Sequence, residues 1–243
     1  MREIDGDELR ATSDERFVRW QMKPEALKRA WVSDGATVVE AVGERASLPP
    51  GRRVFTCLGD ATSLVPLMHA VAAVVDAPQR LTLPVELADE APWRHAESWQ
   101  WRWMYADGPV PEPRVPVVEV TDAAEIDAVL DAGNPDAWAR PGQPGVDWLG
   151  IRESGRLVAV GAVTRQPSGA GLLQAITVTA EARGRGYGRD VSAGLSRLAQ
   201  SVPPGVATLG AYADNTAAVA TYLSLGFVNP TTFRSGPVSP ARG

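Results

Sequence analysis

The chain has 243 residues, a formal net charge of −5, 44% hydrophobic and 22% charged residues, which suits a soluble globular protein of one large domain or two modest ones. The acidic balance argues against sequence-independent nucleic-acid binding. A single cysteine, Cys57, rules out an intrachain disulfide and a Cys-rich zinc site, and the two histidines, His69 and His95, lack metal-protease spacing.

The N-terminal stretch MREIDGDELRATSDER is charged and has no apolar core, so it does not read as a signal peptide. No run approaches the roughly 20 apolar residues that a membrane helix needs. A cytoplasmic protein without metal, membrane or nucleic-acid partners is expected. Thr12 and Glu15 have capping-box spacing, which starts a helix with Phe17 and Trp20 on one face. Pro24 suits the first turn of a second short helix, with Leu27 and Trp31 four apart. Residues 36–43 and 53–59 read as strands joined by a turn at Leu48-Pro49-Pro50-Gly51. Residues 61–77 read as a helix, with Pro66 in its first turn or at a kink, and residues 79–84 as a strand.

Trp99, Trp101 and Trp103 alternate with Gln100, Arg102 and Met104, so a strand here sets three indoles on one face. That face reads as core or as a dimer seam, with a substrate-contacting aromatic wall as the alternative, and the chain is expected as a monomer or homodimer. The proline-rich residues 107–116 cannot continue a helix or a central strand, and a linker there divides the chain near residue 112. The expected domains are 1–112 and 113–243.

The second region is more regular. Residues 115–122 read as a strand, and residues 122–133 as a helix with Asp122 as N-cap and Gly133 just past its end. Two strands at 147–153 and 156–166 flank Ser154-Gly155, a hairpin signal. Then come a strand at 171–179, a helix at 186–202 with a Tyr187, Val191, Leu195, Leu198 stripe, a strand at 206–213, a helix at 215–226 and a final strand or hairpin at 227–235. The fold class is α/β, with a mixed sheet.

Between the strand at 171–179 and the following helix lies RGRGYG, Arg183 to Gly188. Its glycines reach backbone conformations closed to other residues and let a ligand approach the main chain. The first N–H groups of the helix lack internal partners, and the helix dipole adds positive potential. Arg183, Arg185 and Arg189 add formal charge, so the stretch suits a pyrophosphate. Arg189 and Asp190 follow Gly188 where a P-loop needs Lys and Ser or Thr, and Arg189 stands where a dinucleotide fingerprint needs its third glycine.

Arg183-x-x-Gly186-x-Gly188 resembles the acetyl-CoA signature of the GCN5-related N-acetyltransferases (GNAT), and Asn215, Ala218, Tyr222, Gly226 and Phe227 resemble that family's second motif. The resemblance covers residues 114 to 236. It implies a GNAT fold in the C-terminal half and transfer of an acetyl group from acetyl-CoA, the co-substrate, to the primary amine of a small molecule. It implies that the backbone of Ile176, Thr177 and Val178 pairs with the pantetheine arm. It also implies that the N–H groups from Gly184 through Arg185, Gly186, Tyr187 and Gly188 to Arg189, with Arg183, hold the pyrophosphate. By the same resemblance Asn215, which also reads as the N-cap of its helix, would lie near the cofactor, and Tyr222 would protonate the departing thiolate, a role suited to a phenol. Gly210 stands where some enzymes of this family that act on protein N-termini carry a glutamate, which departs from that branch. The general base is open, with Glu119, Asp147 and Glu153 in or beside strands. Acetylation of protein lysines or N-termini and a non-catalytic CoA-binding module are the alternatives. Residues 1–112, with their strand-helix-strand order, read as a degenerate copy of the same fold.

Overall fold

A computed structural model describes residues 1–42 and 52–239, so the turn expected at residues 48–51 lies outside the described residues. The chain forms two compact units: residues 1–102 with 212–214 and 231–243, and residues 103–211 with 215–230.

In the first unit, β1 (Arg2–Asp5), β2 (Leu27–Ser33), β3 (Ala36–Val42) and β4 (Arg53–Gly59) pair antiparallel in that order. Helix α3 (Ala61–Ala72) then leads to β5 (Arg80–Pro84), which runs parallel to β4. The far end of β12 (Val228–Pro237) pairs antiparallel with β5 through Phe233 to Pro237. Leu64, Leu67, Met68 and Val71, spaced three and four apart on α3, are buried with Trp31, Phe55, Leu81 and Leu83. Pro66 is accommodated inside α3. Cys57 is fully buried in this core, and burial pushes its thiol pKa up, which suits a structural residue rather than a nucleophile.

The first 33 residues depart in part from expectation. Asp5 caps a helix α1 (Gly6–Thr12) by accepting from the Glu8 N–H. Thr12 therefore ends a helix, its hydroxyl donating to the Glu8 carbonyl at 2.8 Å, and Glu15 caps α2 (Arg16–Gln21). Pro24 opens a single 3-10 turn, and Leu27 to Trp31 belong to strand β2 rather than to a helix. Neighbouring strands on both sides overrode the helical spacing there, and Trp31 is 1% exposed, with its indole N–H donating to Glu3.

In the second unit, β7 (Val118–Glu119), β8 (Val146–Glu153), β9 (Arg156–Arg165) and β10 (Gly171–Val178) pair antiparallel, and α4 (Ala123–Gly133) lies between β7 and β8 in sequence. Asp122 caps α4 by accepting from the Ala124 and Glu125 N–H groups. Ser154 and Gly155 both have positive φ, 51° and 82°, as a tight two-residue hairpin turn requires. Helix α5 (Tyr187–Gln200) leads to β11 (Ala207–Tyr212), parallel to β10, and α6 (Thr216–Ser224) follows. Val191 and Leu195 of the apolar stripe are fully buried, and Tyr187 and Leu198 pack against the same core.

The proline-rich segment lies within the second unit. Val110 is buried in its core, and Gln200 on α5 donates to the carbonyls of Ala106 and Gly108. The indole face of β6 (Trp99–Ala106) is unevenly buried. Trp103 is 1% exposed, whereas Trp101 stacks obliquely on Phe17 and Phe233 and donates to Ser235.

The two units repeat one order of elements. Three antiparallel strands, β2–β3–β4 or β8–β9–β10, are followed by a helix, α3 or α5, and by a strand parallel to the last of the three.

Candidate active site

Strand β10 pairs with β9 as far as Val178, but its parallel pairing with β11 covers only Gly171 to Leu173. Beyond Leu173 one backbone edge of β10 has no strand partner among the described residues. The opening begins at a bulge: the register against β9 shifts between Gln174 and Thr177, and Ala175 takes a positive φ of 54°. Thr179 donates its N–H to the Val158 carbonyl on the β9 side at 2.9 Å, so the alternating backbone turns the Val178 N–H the other way. Ile176 and Val178 are half-buried against the core, whereas Thr177 is 4% exposed and its hydroxyl donates to the Ala175 carbonyl.

The open edge runs through a short 3-10 turn (Ala180–Ala182) into the glycine-rich stretch. Gly184 and Gly186 have φ of 77° and 83°. Gly186 is the N-cap of α5 and carries no side chain to satisfy the helix start. The first helical bond runs from the Asp190 N–H to the Gly186 carbonyl at 3.1 Å, so the N–H groups of Tyr187, Gly188 and Arg189 precede the helical ladder. The result is an uncapped helix start at the end of an unpaired strand edge.

The arginines here are held by the protein itself. Arg183 donates to the Val178 carbonyl at 3.3 Å. Arg185 pairs with Glu153 at 2.6 Å, and the Tyr187 hydroxyl donates to the same carboxylate at 2.9 Å. The Tyr187 hydrogen bond, with Arg185, holds the Glu153 carboxyl below the usual carboxylate range despite some desolvation. This engagement argues against Glu153 as the base. Around the loop, Arg114, Arg156, Arg183, Arg185 and Arg189 outnumber Glu153, Glu181 and Asp190, so the local balance is positive although the chain is acidic.

Two residues that the sequence did not single out complete the loop. Asp190, 1% exposed in the first turn of α5, accepts from the Arg114 backbone N–H and Nε at 3.1 Å and from Nη2 at 3.2 Å. Arg114 Nη2 also donates to the Gly186 carbonyl at 3.2 Å. Burial alone raises the Asp190 pKa, but the Arg114 hydrogen bonds outweigh it and the carboxyl is held low. Asp190 directly follows the loop, but nothing local in the sequence links it to Arg114, 76 positions away.

Tyr222 on α6 is 9% exposed, with its ring 5.9 Å from that of Phe227 and in the same core as Ala218 and Leu225. Burial pushes its hydroxyl pKa up to about 12, so the phenol is protonated at neutral pH. Asn215 is the N-cap of α6, its Oδ1 accepting from the Ala218 N–H at 3.1 Å. Among the described residues, no group of three or more His, Cys, Asp or Glu is placed to hold a metal, and no helix is long and apolar enough to cross a membrane.

A mixed sheet whose parallel β10–β11 pair is joined through α5, with an uncapped glycine-rich helix start, is an α/β arrangement that offers backbone N–H groups to an anionic ligand. The profile of the acetyltransferase (GNAT) family matches residues 98–227, more than half of the chain, and the chain belongs to that family. Acetyl transfer from acetyl-CoA is the chemistry of the family. Similar solved structures include a GCN5-related N-acetyltransferase from Kribbella flavida, 17% identical, covering 88% of this chain and 90% of that one, with a TM-score of 0.55. Another, from Sphaerobacter thermophilus, is 15% identical, covers 87% of this chain and 83% of that one, and has a TM-score of 0.54. An acetyltransferase of the GNAT family from Colwellia psychrerythraea is 11% identical, with 87% and 85% covered and a TM-score of 0.52. These likenesses are of fold, and they extend beyond residues 98–227 into the first unit. The comparison with curated proteins found no match.

Proposed function

We propose that this protein moves the acetyl group of acetyl-CoA directly to the primary amine of a small molecule. The observation that carries the reading is the unpaired edge of β10 running into the uncapped start of α5. In this reading the backbone of Ile176, Thr177 and Val178 binds the pantetheine arm. The N–H groups from Gly184 to Arg189 hold the pyrophosphate, with Arg183, Arg185 and Arg189 supplying charge. Asn215 sets the start of α6 beside the thioester end. Tyr222, buried and protonated, donates its proton to the departing thiolate. Gly210, in place of an N-terminal-acetylation glutamate, favours a small amine over a protein N-terminus.

Acetyl transfer is assigned to the second unit, and the first is read as a degenerate copy that binds no acetyl-CoA. Its equivalent helix, α3, starts with Asp60, whose carboxylate accepts from the Ser63 N–H at 3.0 Å. A carboxylate thus sits where a phosphate would need free N–H groups. Strand β4 pairs with β3 in unbroken register from Arg53 to Gly59, without the bulge that opens β10.

The test is calorimetric titration of the full chain with acetyl-CoA, with NADH and ATP as controls, followed by an amine screen read by thiol release. One equivalent of acetyl-CoA per chain and turnover of small amines are expected. No binding overturns the reading, two equivalents overturn the assignment of the first unit, and binding without turnover of any amine leaves a CoA-binding module.

A further inference from the structure

We infer that Arg114 is a positioning residue for the acyl-CoA loop, acting through the Gly186 carbonyl; this rests on the acetyl-CoA reading above. Arg114 comes from the proline-rich segment and reaches the first turn of α5, where one guanidinium meets two groups. Asp190 holds it in a two-pronged grip, Nε to Oδ1 and Nη2 to Oδ2, and the Arg114 backbone N–H also reaches Oδ1. Nη2 then donates to the Gly186 carbonyl.

The consequence follows from the planar peptide. The Gly186 carbonyl and the Tyr187 N–H belong to one rigid unit and point in opposite directions. Clamping that carbonyl from the Arg114 side aims the Tyr187 N–H outward, toward the place where an anion would bind. The clamp also explains the residue at position 186. A Cβ there would lie 1.9 Å from Arg114 Nη2, so any other residue would push the guanidinium off the Gly186 carbonyl, in addition to the strain of the positive φ. Asp190 has an electrostatic cost, since its carboxylate sits in the turn that must attract phosphate. Arg114 and Arg189, its partners at 3.1 and 3.4 Å, offset that charge.

The test separates loop positioning from simple structural support. Arg114→Met alone strips a buried carboxylate of its main partner, so the informative protein is the double variant Arg114→Met/Asp190→Asn, with Arg114→Lys beside it. Affinity is measured by calorimetry for acetyl-CoA and by ligand-observed NMR for S-acetylpantetheine, which lacks the pyrophosphate. The double variant is expected to bind acetyl-CoA about tenfold more weakly, the scale of one charged hydrogen bond, while its affinity for S-acetylpantetheine stays within about twofold. Arg114→Lys, which keeps the charge without the fork, is expected to fall between wild type and the double variant. Equal weakening for both ligands overturns the inference in favour of a structural role, and unchanged affinity for acetyl-CoA overturns it outright. If wild-type protein binds no acetyl-CoA, the functional reading fails first and takes this one with it; wild-type binding with an unaltered variant sinks this inference alone.

Discussion

Replacing Gly186 by alanine should cost more stability than the same change at Gly184, and the difference is set by Arg114. Both glycines are left-handed, with φ of 83° and 77°, so each alanine incurs about 1–2 kcal/mol of backbone strain. At Gly184 a Cβ meets nothing within 4 Å. At Gly186 it meets Arg114 Nη2 at 1.9 Å, where ordinary contact begins near 3.4 Å. The flexible guanidinium must swing away by a distance that breaks its 3.2 Å bonds to Gly186 and to the buried Asp190. Depriving a buried carboxylate of such a partner adds about 1–3 kcal/mol. Gly186→Ala is therefore expected to be less stable than Gly184→Ala by that amount in urea unfolding at neutral pH. In the Arg114→Met/Asp190→Asn background the two alanine variants should converge, because no guanidinium remains to displace. Equal stabilities in the wild-type background, or a difference that survives in the double variant, would refute the reasoning.

Tyr222→Phe should lower the transfer rate by about a hundredfold with the fold intact, measured by thiol release from acetyl-CoA. Because burial raises the native Tyr222 pKa from 10.0 to about 12, its stability contribution is complete below pH 10 and lost as pH rises from there to about 12. Tyr222→Phe should flatten that alkaline decline, worth on the order of 2–3 kcal/mol, in unfolding curves taken across the same range. Glu40 is a buried carboxylate accepting from Arg29 Nε and Arg53 Nε, both at 2.8 Å, and Glu40→Gln should destabilise the first unit by about 1–3 kcal/mol in urea unfolding. Burial raises its pKa but the two arginines outweigh that and leave it below 4.5, so its contribution is present above 4.5 and lost as pH falls through the lowered value. Asn215→Ala removes the cap on α6 and should cost about 1 kcal/mol of thermal stability.

What the sequence determined by itself was local. Asp122 as a helix cap, the Ser154-Gly155 turn, the short apolar runs of β3 and β4 and the apolar stripe of α5 each rest on a few neighbouring residues whose backbone preferences agree. The glycine-rich stretch between a strand and a helix was legible for the same reason, since glycine spacing and a helix start lie within one turn of chain. Tertiary structure decided whatever depends on distant partners. The stretch from Leu27 to Trp31 has helical spacing, yet it became β2 because β1 and β3 offered ladders on both sides. The opening of β10 exists only because its pairing with β11 stops at Leu173 while its pairing with β9 continues, and no single strand encodes where a partner leaves it. Arg114 and Asp190, 76 positions apart, are brought together only by folding, which buries the carboxylate beside the loop. Backbone preference is written residue by residue, but strand pairing and the pairing of a buried charge are settled only by which segments meet.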